Sequence, residues 1–169
     1  MTTPTTPLFA VDSNFLFNLV GPSDAARDAL DTIRERSPRA VVLATESVLN
    51  EIDNFVVTPS LGKQVSARKA QTAIIARGIQ PALLDDPQDT IARSIANKLL
   101  IQGVIPWEER NDARILAEAA VLGCQMLITS DSDLCAADRA QLARVLWECD
   151  VSAVVIRTPR EIVREFGGR

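Results

Sequence analysis

Four apolar runs that do not alternate with polar residues constrain the fold of this chain more than any other feature. They are 8–11 (LFAV), 40–44 (AVVLA), 125–129 (QMLIT) and 151–156 (VSAVVI). A strand with one face in water alternates, whereas a strand covered on both faces is apolar throughout. Between these runs the periodicity is helical. Helices are predicted over 13–20; over 23–36 with Ser23 as N-cap; from Thr45, carrying Val48, Leu49, Ile52 and Phe55; and over 63–77. Further helices are predicted from Asp86-Pro87, with Pro at the first position and Ile91, Ile95 and Leu99 in register, and over 111–122, 136–147 and 159–166. Pro59–Gly62 and Pro81 read as interruptions, and Gly123 as a helix stop. Strands alternating with helices imply an α/β fold with a central parallel sheet of about four to five strands. At 169 residues the chain makes one domain, 8–169, after a Thr/Pro-rich lead at 1–7.

The absences narrow the chemistry. The chain has no histidine, which excludes Ser-His-Asp and Cys-His triads and nearly every zinc site. Its three cysteines, Cys124, Cys135 and Cys149, have no CxxC spacing and read as reduced thiols of a cytoplasmic protein. The start has no basic leader, and no apolar run approaches the roughly 20 residues of a membrane helix. The net charge of −4 is not that of a passive nucleic-acid coat.

Carboxylates are the chemistry that remains. In open α/β sheets, ligands sit beyond the carboxyl ends of the strands. The first apolar run ends in Asp12, and the third leads through Thr129 to Asp131 and Asp133. On the helix after the second run, Glu46, Asn50 and Asp53 fall on the polar side, while Glu51 flanks the apolar stripe near Phe55. With Asp112 at zero, Leu116 lies at about 40° and Ala119 at about 340° on their helix. Asp112 therefore shares the core-facing stripe, and Arg114 and Glu118 point away from it. Each acid has an ordinary alternative role as a helix cap, an Asx turn or a solvated flank. Together, Asp12, Glu51, Asp112 and Asp131 bring four charges to one edge. Two unit charges 4 Å apart repel by about 4 kcal/mol at an effective dielectric of 20. A divalent cation relieves that repulsion, and all-oxygen ligation favours Mg²⁺ or Mn²⁺. The stretch 54–84 holds no acid but contains Lys63, Arg68, Lys69 and Arg77, a patch suited to phosphates or an ordinary solvated helix face.

The segments FAVDSNFLFNLV, ATESVLNEIDNF, ERNDARILAEAAVLGCQMLITSDSDL and TPREIVREF resemble the successive signature blocks of the PIN-domain family. The resemblance runs from residue 8 to about 166. Its blocks are Asp-x-Asn at Asp12 and Asn14, a helix-borne Glu at Glu51, a helix-opening Asp at Asp112, and Thr-x-Asp-x-Asp at Thr129, Asp131 and Asp133. Two features depart from the family pattern: Leu134 stands where Phe is usual, and the segment from Glu51 to Asp112 is longer than in compact members.

The resemblance implies a three-layer α/β/α sandwich and a Mg²⁺- or Mn²⁺-dependent ribonuclease, often a homodimer. It also implies, for VapC-like members, the toxin of a toxin–antitoxin pair with a cognate antitoxin. On that pattern Asp12, Asp112 and Asp131 are the main metal ligands, and Glu51 holds a second ion or orients water. Asp133 is an outer ligand, and Asn14 and Thr129 are hydrogen-bond partners behind the ligands. The alternative is a PIN-like interaction module with an idle pocket. A phosphatase using Asp12 as nucleophile fits less well, because Asn14 stands where that chemistry wants a second Asp.

Overall fold

The structure, a computed structural model, describes residues 6–167. The lead at 1–7 falls outside them over residues 1–5. Strands β1 (Leu8–Val11), β2 (Val41–Thr45), β3 (Gln80–Ala82), β4 (Met126–Ile128) and β5 (Val155–Arg157) form one sheet in the order β3-β2-β1-β4-β5. Every neighbouring pair is parallel. Among the described residues the helices are α1 (Ser13–Val20), α2 (Ala25–Arg36), α3 (Glu46–Val56), α4 (Leu61–Ala76), α5 (Asp86–Ile101), α6 (Arg110–Val121), α7 (Ser132–Ala136), α8 (Arg139–Glu148) and α9 (Pro159–Phe166). The fold is the expected α/β/α sandwich around a central parallel sheet. α5 packs on α6, α2 on α9, and α4 against both α1 and α3. The core is aliphatic, with Leu16, Leu30, Ile52, Ile95, Leu116 and Leu127 fully buried.

Local boundaries differ from the sequence reading for identifiable reasons. Pro81 does not simply break the chain: it sits inside β3, an edge strand where a missing N–H is tolerated. The fourth apolar run forms a strand only from Val155, because Asp150 turns the chain at φ 56° and residues 151–154 are not paired as strand. The expected helix over 136–147 begins only at Arg139, where Asp138 caps it through bonds from the Ala140 and Gln141 N–H groups, both 2.9 Å, while Ala136 ends the separate short helix α7. The N-cap position of α2 is Asp24, while Ser23 Oγ accepts from the Ala25 N–H at 3.4 Å. Asp85, not Asp86, caps α5 through a reciprocal pair with Gln88, and Pro87 follows at the second helical position. Ile91 stays half in solvent, so only Ile95 and Leu99 of that register are buried.

The strand order places the reversal of winding across the sheet between β1 and β4, which are themselves parallel. β1 leads outward to β2 on one side, and β4 leads to β5 on the other. The crevice beyond such a reversal is where an α/β sheet binds ligands. Asp12 follows β1 and Asp131 follows β4 by two turn residues, so both acids border that crevice.

Candidate functional site

Asp12 is both a helix cap and a buried charge. Its Oδ1 accepts from the Phe15 N–H at 2.7 Å, and its Oδ2 accepts from the Thr129 hydroxyl. The side chain is 2 % exposed. Burial pushes its carboxyl up to about 7; the bonds from Thr129 and Phe15 pull the other way, and the charges of Asp131 and Glu51 add to the rise. Thr129, fully buried, also accepts from the Asp131 N–H at 2.8 Å and so couples the ends of β1 and β4. Asp131 caps α7 with Oδ1, which accepts from the Asp133 and Leu134 N–H groups. Its Oδ2 faces Asn14, whose amide donates at 3.5 Å. For Asp12 and Asp131, capping and site-building are therefore the same act. The cap fixes one oxygen, and a side chain holds the other: the Thr129 hydroxyl on Asp12 and the Asn14 amide on Asp131.

Asp112 behaves differently. It lies in the first turn of α6 but makes no cap, and its Oδ2 is buried without a hydrogen-bond partner. Burial raises its carboxyl to about 7, followed by the charges of Asp131, Glu109, Asp12 and Glu51. Glu51, half-buried on α3, accepts from the Asn111 amide at 2.7 Å, which ties α3 to the start of α6. The charges of Glu51 and Asp131 thus reach both Asp12 and Asp112, which brings together four chain segments. Asp133, half-buried in the first turn of α7, is not among the main charges acting on Asp12 or Asp112, whereas Glu109 acts on Asp112.

Among the described residues, no three His, Cys, Asp or Glu side chains are gathered into a preformed ligand cluster. The fit to a cation rests on other observations. Asp112 Oδ2 is a buried acceptor with nothing to accept from, and an orphaned buried acceptor costs about 1–3 kcal/mol. The charges acting on it come from Asp131, Glu109, Asp12 and Glu51, and carboxylate oxygens are the ligands that hard divalent ions prefer.

Residues that sequence reasoning missed hold this arrangement together. Thr45, at the N-cap position of α3, makes no cap bond. The cap comes from α6 instead: Glu118 accepts from the Ser47 N–H at 3.1 Å and the Ser47 hydroxyl at 2.7 Å. Glu118 does point away from Asp112, but it is 1 % exposed, and Arg114 donates to it at 2.8 Å. Arg114 in turn pairs with Asp89 on α5. The signal for Glu118 was available. The stretch 113–121 is apolar nearly all round, and a helix apolar on every side is buried on every side, charge included. Asn111, Glu109 and the aromatic pair Phe17–Phe55, with centroids 5.4 Å apart, carry no such mark.

The basic residues divide between two hollows. Arg68, Lys69 and Arg77 line a hollow of about 530 Å³ between α1 and α4, with Leu19 and Val65 as its apolar wall. Arg77 lies 4.0 Å from Asp31. Lys63 lines a second hollow that Asn14 and Glu51 also border.

Comparison with known proteins bears on the fold. Structures of similar fold include VapBC2 from Rickettsia felis bound to a DNA fragment from their promoter (TM-score 0.62, 13% identity, covering 89% of this chain and 98% of that one). FitAcB from Neisseria gonorrhoeae is similar at TM-score 0.55 and 18% identity, over 90% of this chain and 98% of that one. VapBC-5 from Mycobacterium tuberculosis, a member of the VapBC family of toxin-antitoxin systems, is similar at TM-score 0.56 and 18% identity, over 89% and 98%. No curated protein matches the sequence. The PIN domain matches residues 9–140, a span that contains all four acids at the crevice, and the chain belongs to the PIN-domain family.

Proposed function

We propose that the protein is a divalent-metal-dependent endoribonuclease that hydrolyses RNA phosphodiester bonds at the Asp12–Glu51–Asp112–Asp131 crevice. The observation that carries this reading is the convergence of four acids from separate segments, two of them with carboxyls raised to about 7. Asp12, Asp112 and Asp131 would hold Mg²⁺ or Mn²⁺, with Glu51 at a second position and Asp133 outside. Such an ion, when bound, neutralises phosphate charge and lowers the pKa of water. The chain's own part is positional. Thr129 and the Phe15 N–H lock Asp12, Asn14 steers Asp131, and Asn111 holds Glu51. The hollow lined by Arg68, Lys69 and Arg77 would guide the phosphate backbone toward the acids.

The likeness to solved VapBC and FitAcB structures supports a further reading of the chain as the toxin partner of an antitoxin, and we propose in addition that it acts as a homodimer in the cytoplasm. The test is purified protein with labelled RNA, single-stranded DNA and a small phosphate ester, each with Mn²⁺ and with EDTA. RNA cleavage that needs Mn²⁺ is expected, and Asp12→Asn should lower its rate by two or more orders of magnitude. Glu46→Gln should cleave like wild type. Robust cleavage by Asp12→Asn would falsify the assignment of Asp12. No RNA cleavage by wild type under any metal would leave the PIN scaffold as an interaction module.

A further inference from the structure

A hollow of about 330 Å³ adjoins the acids where α1, α3 and the first turn of α4 meet. Its volume falls at the lower end of ligand pockets, about 300–1,000 Å³. Asn14 and Glu51 form the side it shares with the crevice. Phe17 and Phe55 form its apolar side, and Lys63 stands on its rim. The chain has five phenylalanines and no tyrosine. Two of those five meet here edge to face, at 76°, and both remain only half-buried. The exposed Lys63 places its ammonium 5.3 Å from the centre of the Phe55 ring. An accessible aromatic surface with an exposed cation beside it is what one nucleotide requires: a face for the base and a charge for the phosphate.

We propose that this hollow is a nucleoside subsite: it receives the base of one RNA nucleotide flanking the cleaved bond, against Phe55 and Phe17, with a phosphate on Lys63. The inference rests on the nuclease reading above. The shared border argues for a nucleotide over other occupants. A group seated here is continuous with the crevice through Asn14 and Glu51, and Glu51 turns any phosphate toward the Lys63 end. Base–aromatic stacking tolerates any base, so the subsite sets where the strand lies and not which sequence is cut.

Gly62 offers a clean test. It lines the hollow at the second position of α4, and a Cβ built there meets nothing within 4 Å. Gly62→Leu therefore fills the hollow while improving helix propensity, and its melting temperature in EDTA should match or exceed that of wild type. The substrates are a labelled single-stranded RNA and versions with an abasic ribose on either side of the cleaved bond, each with Mn²⁺. Wild type should cleave one abasic version about tenfold or more slowly than the intact strand. Gly62→Leu and Phe55→Ala should cleave the intact strand with a similar loss, and removing the base should cost them little more.

Cleavage of intact RNA by Gly62→Leu at the wild-type rate overturns the subsite and leaves the hollow to a protein side chain. An equal further loss on abasic RNA in Gly62→Leu and in wild type also overturns it, because the base is then read elsewhere. If wild type cleaves no RNA at all, the nuclease reading falls first and the subsite falls with it.

Discussion

At the scale of single residues, the unusual expense of this protein is concentrated in Asp12 and Asp112. Both carboxyls are held near 7 in the folded chain, against 3.8 for an ordinary Asp. The folded chain therefore binds more protons than the unfolded chain between those values. Their contribution to stability is complete below about pH 4 and is lost as pH rises through about 7. Asp89, Glu148 and Glu161 run the other way, lowered by Arg93 and Arg114, by Lys98, and by the Thr158 N–H respectively. Their contribution disappears only in more acidic solution. Metal-free protein should thus melt highest near pH 5 and progressively lower toward pH 8. A melting temperature that climbs steadily from pH 5 to pH 8 in EDTA would count against the raised carboxyls. Asp112→Asn should flatten that decline and raise the melting temperature at pH 8 by about 2–4 °C per kcal/mol of repulsion relieved. It should also lose most of the stabilisation that Mn²⁺ gives the wild type. These acids were legible because each ends a strand or sits on a helical stripe whose direction the sequence fixes. Asn111 and Glu109 were not: Asn111 acts on Glu51 across 60 positions, a contact that no periodicity encodes.

At the scale of elements, α6 organises the site twice. Its first turn carries Asp112, and two turns later Glu118 closes the open N-terminus of α3, whose own Thr45 makes no cap. A carboxylate at a helix N-terminus satisfies orphan N–H groups and meets the positive end of the helix dipole. Glu118→Ala should uncap α3 and leave Arg114 without its buried partner. Breaking such a pair costs roughly 3 kcal/mol, a fall in melting temperature of about 6–12 °C. Calorimetry or circular dichroism melts would measure it, and a shift under one degree would show that the clasp carries no weight. The long helices were legible in the sequence because caps and apolar periods agree there. β3 and α7 were not. A three-residue edge strand with two exposed positions has no hydrophobic signature, and a five-residue helix is shorter than one clear period.

At the scale of the whole molecule, a chain of net charge −4 keeps its exposed cations of the acid-free stretch on α4 and beside its two neighbouring hollows. Single-stranded RNA binding should weaken with salt, and Arg68→Ala with Lys69→Ala should shallow the log–log slope by roughly 1.4, two contacts at about 0.7 each. Cleavage at saturating RNA should change far less. An unchanged slope would make this face an ordinary solvated one. The parallel sheet and the edge that bears the acids were readable from unalternated strands alone. Which two strands flank the crevice was not, because strand order is decided by long-range pairing. The sheet also ends in a particular way. β3 has three residues with Pro81 at its centre, and proline offers no N–H to a further strand. On that flank a second copy of the chain finds only a three-residue edge, interrupted by proline, on which to extend the sheet by backbone pairing. Growth of ordered fibres from this border is disfavoured, and copies meeting there do so chiefly through side chains, with an affinity set by contact area.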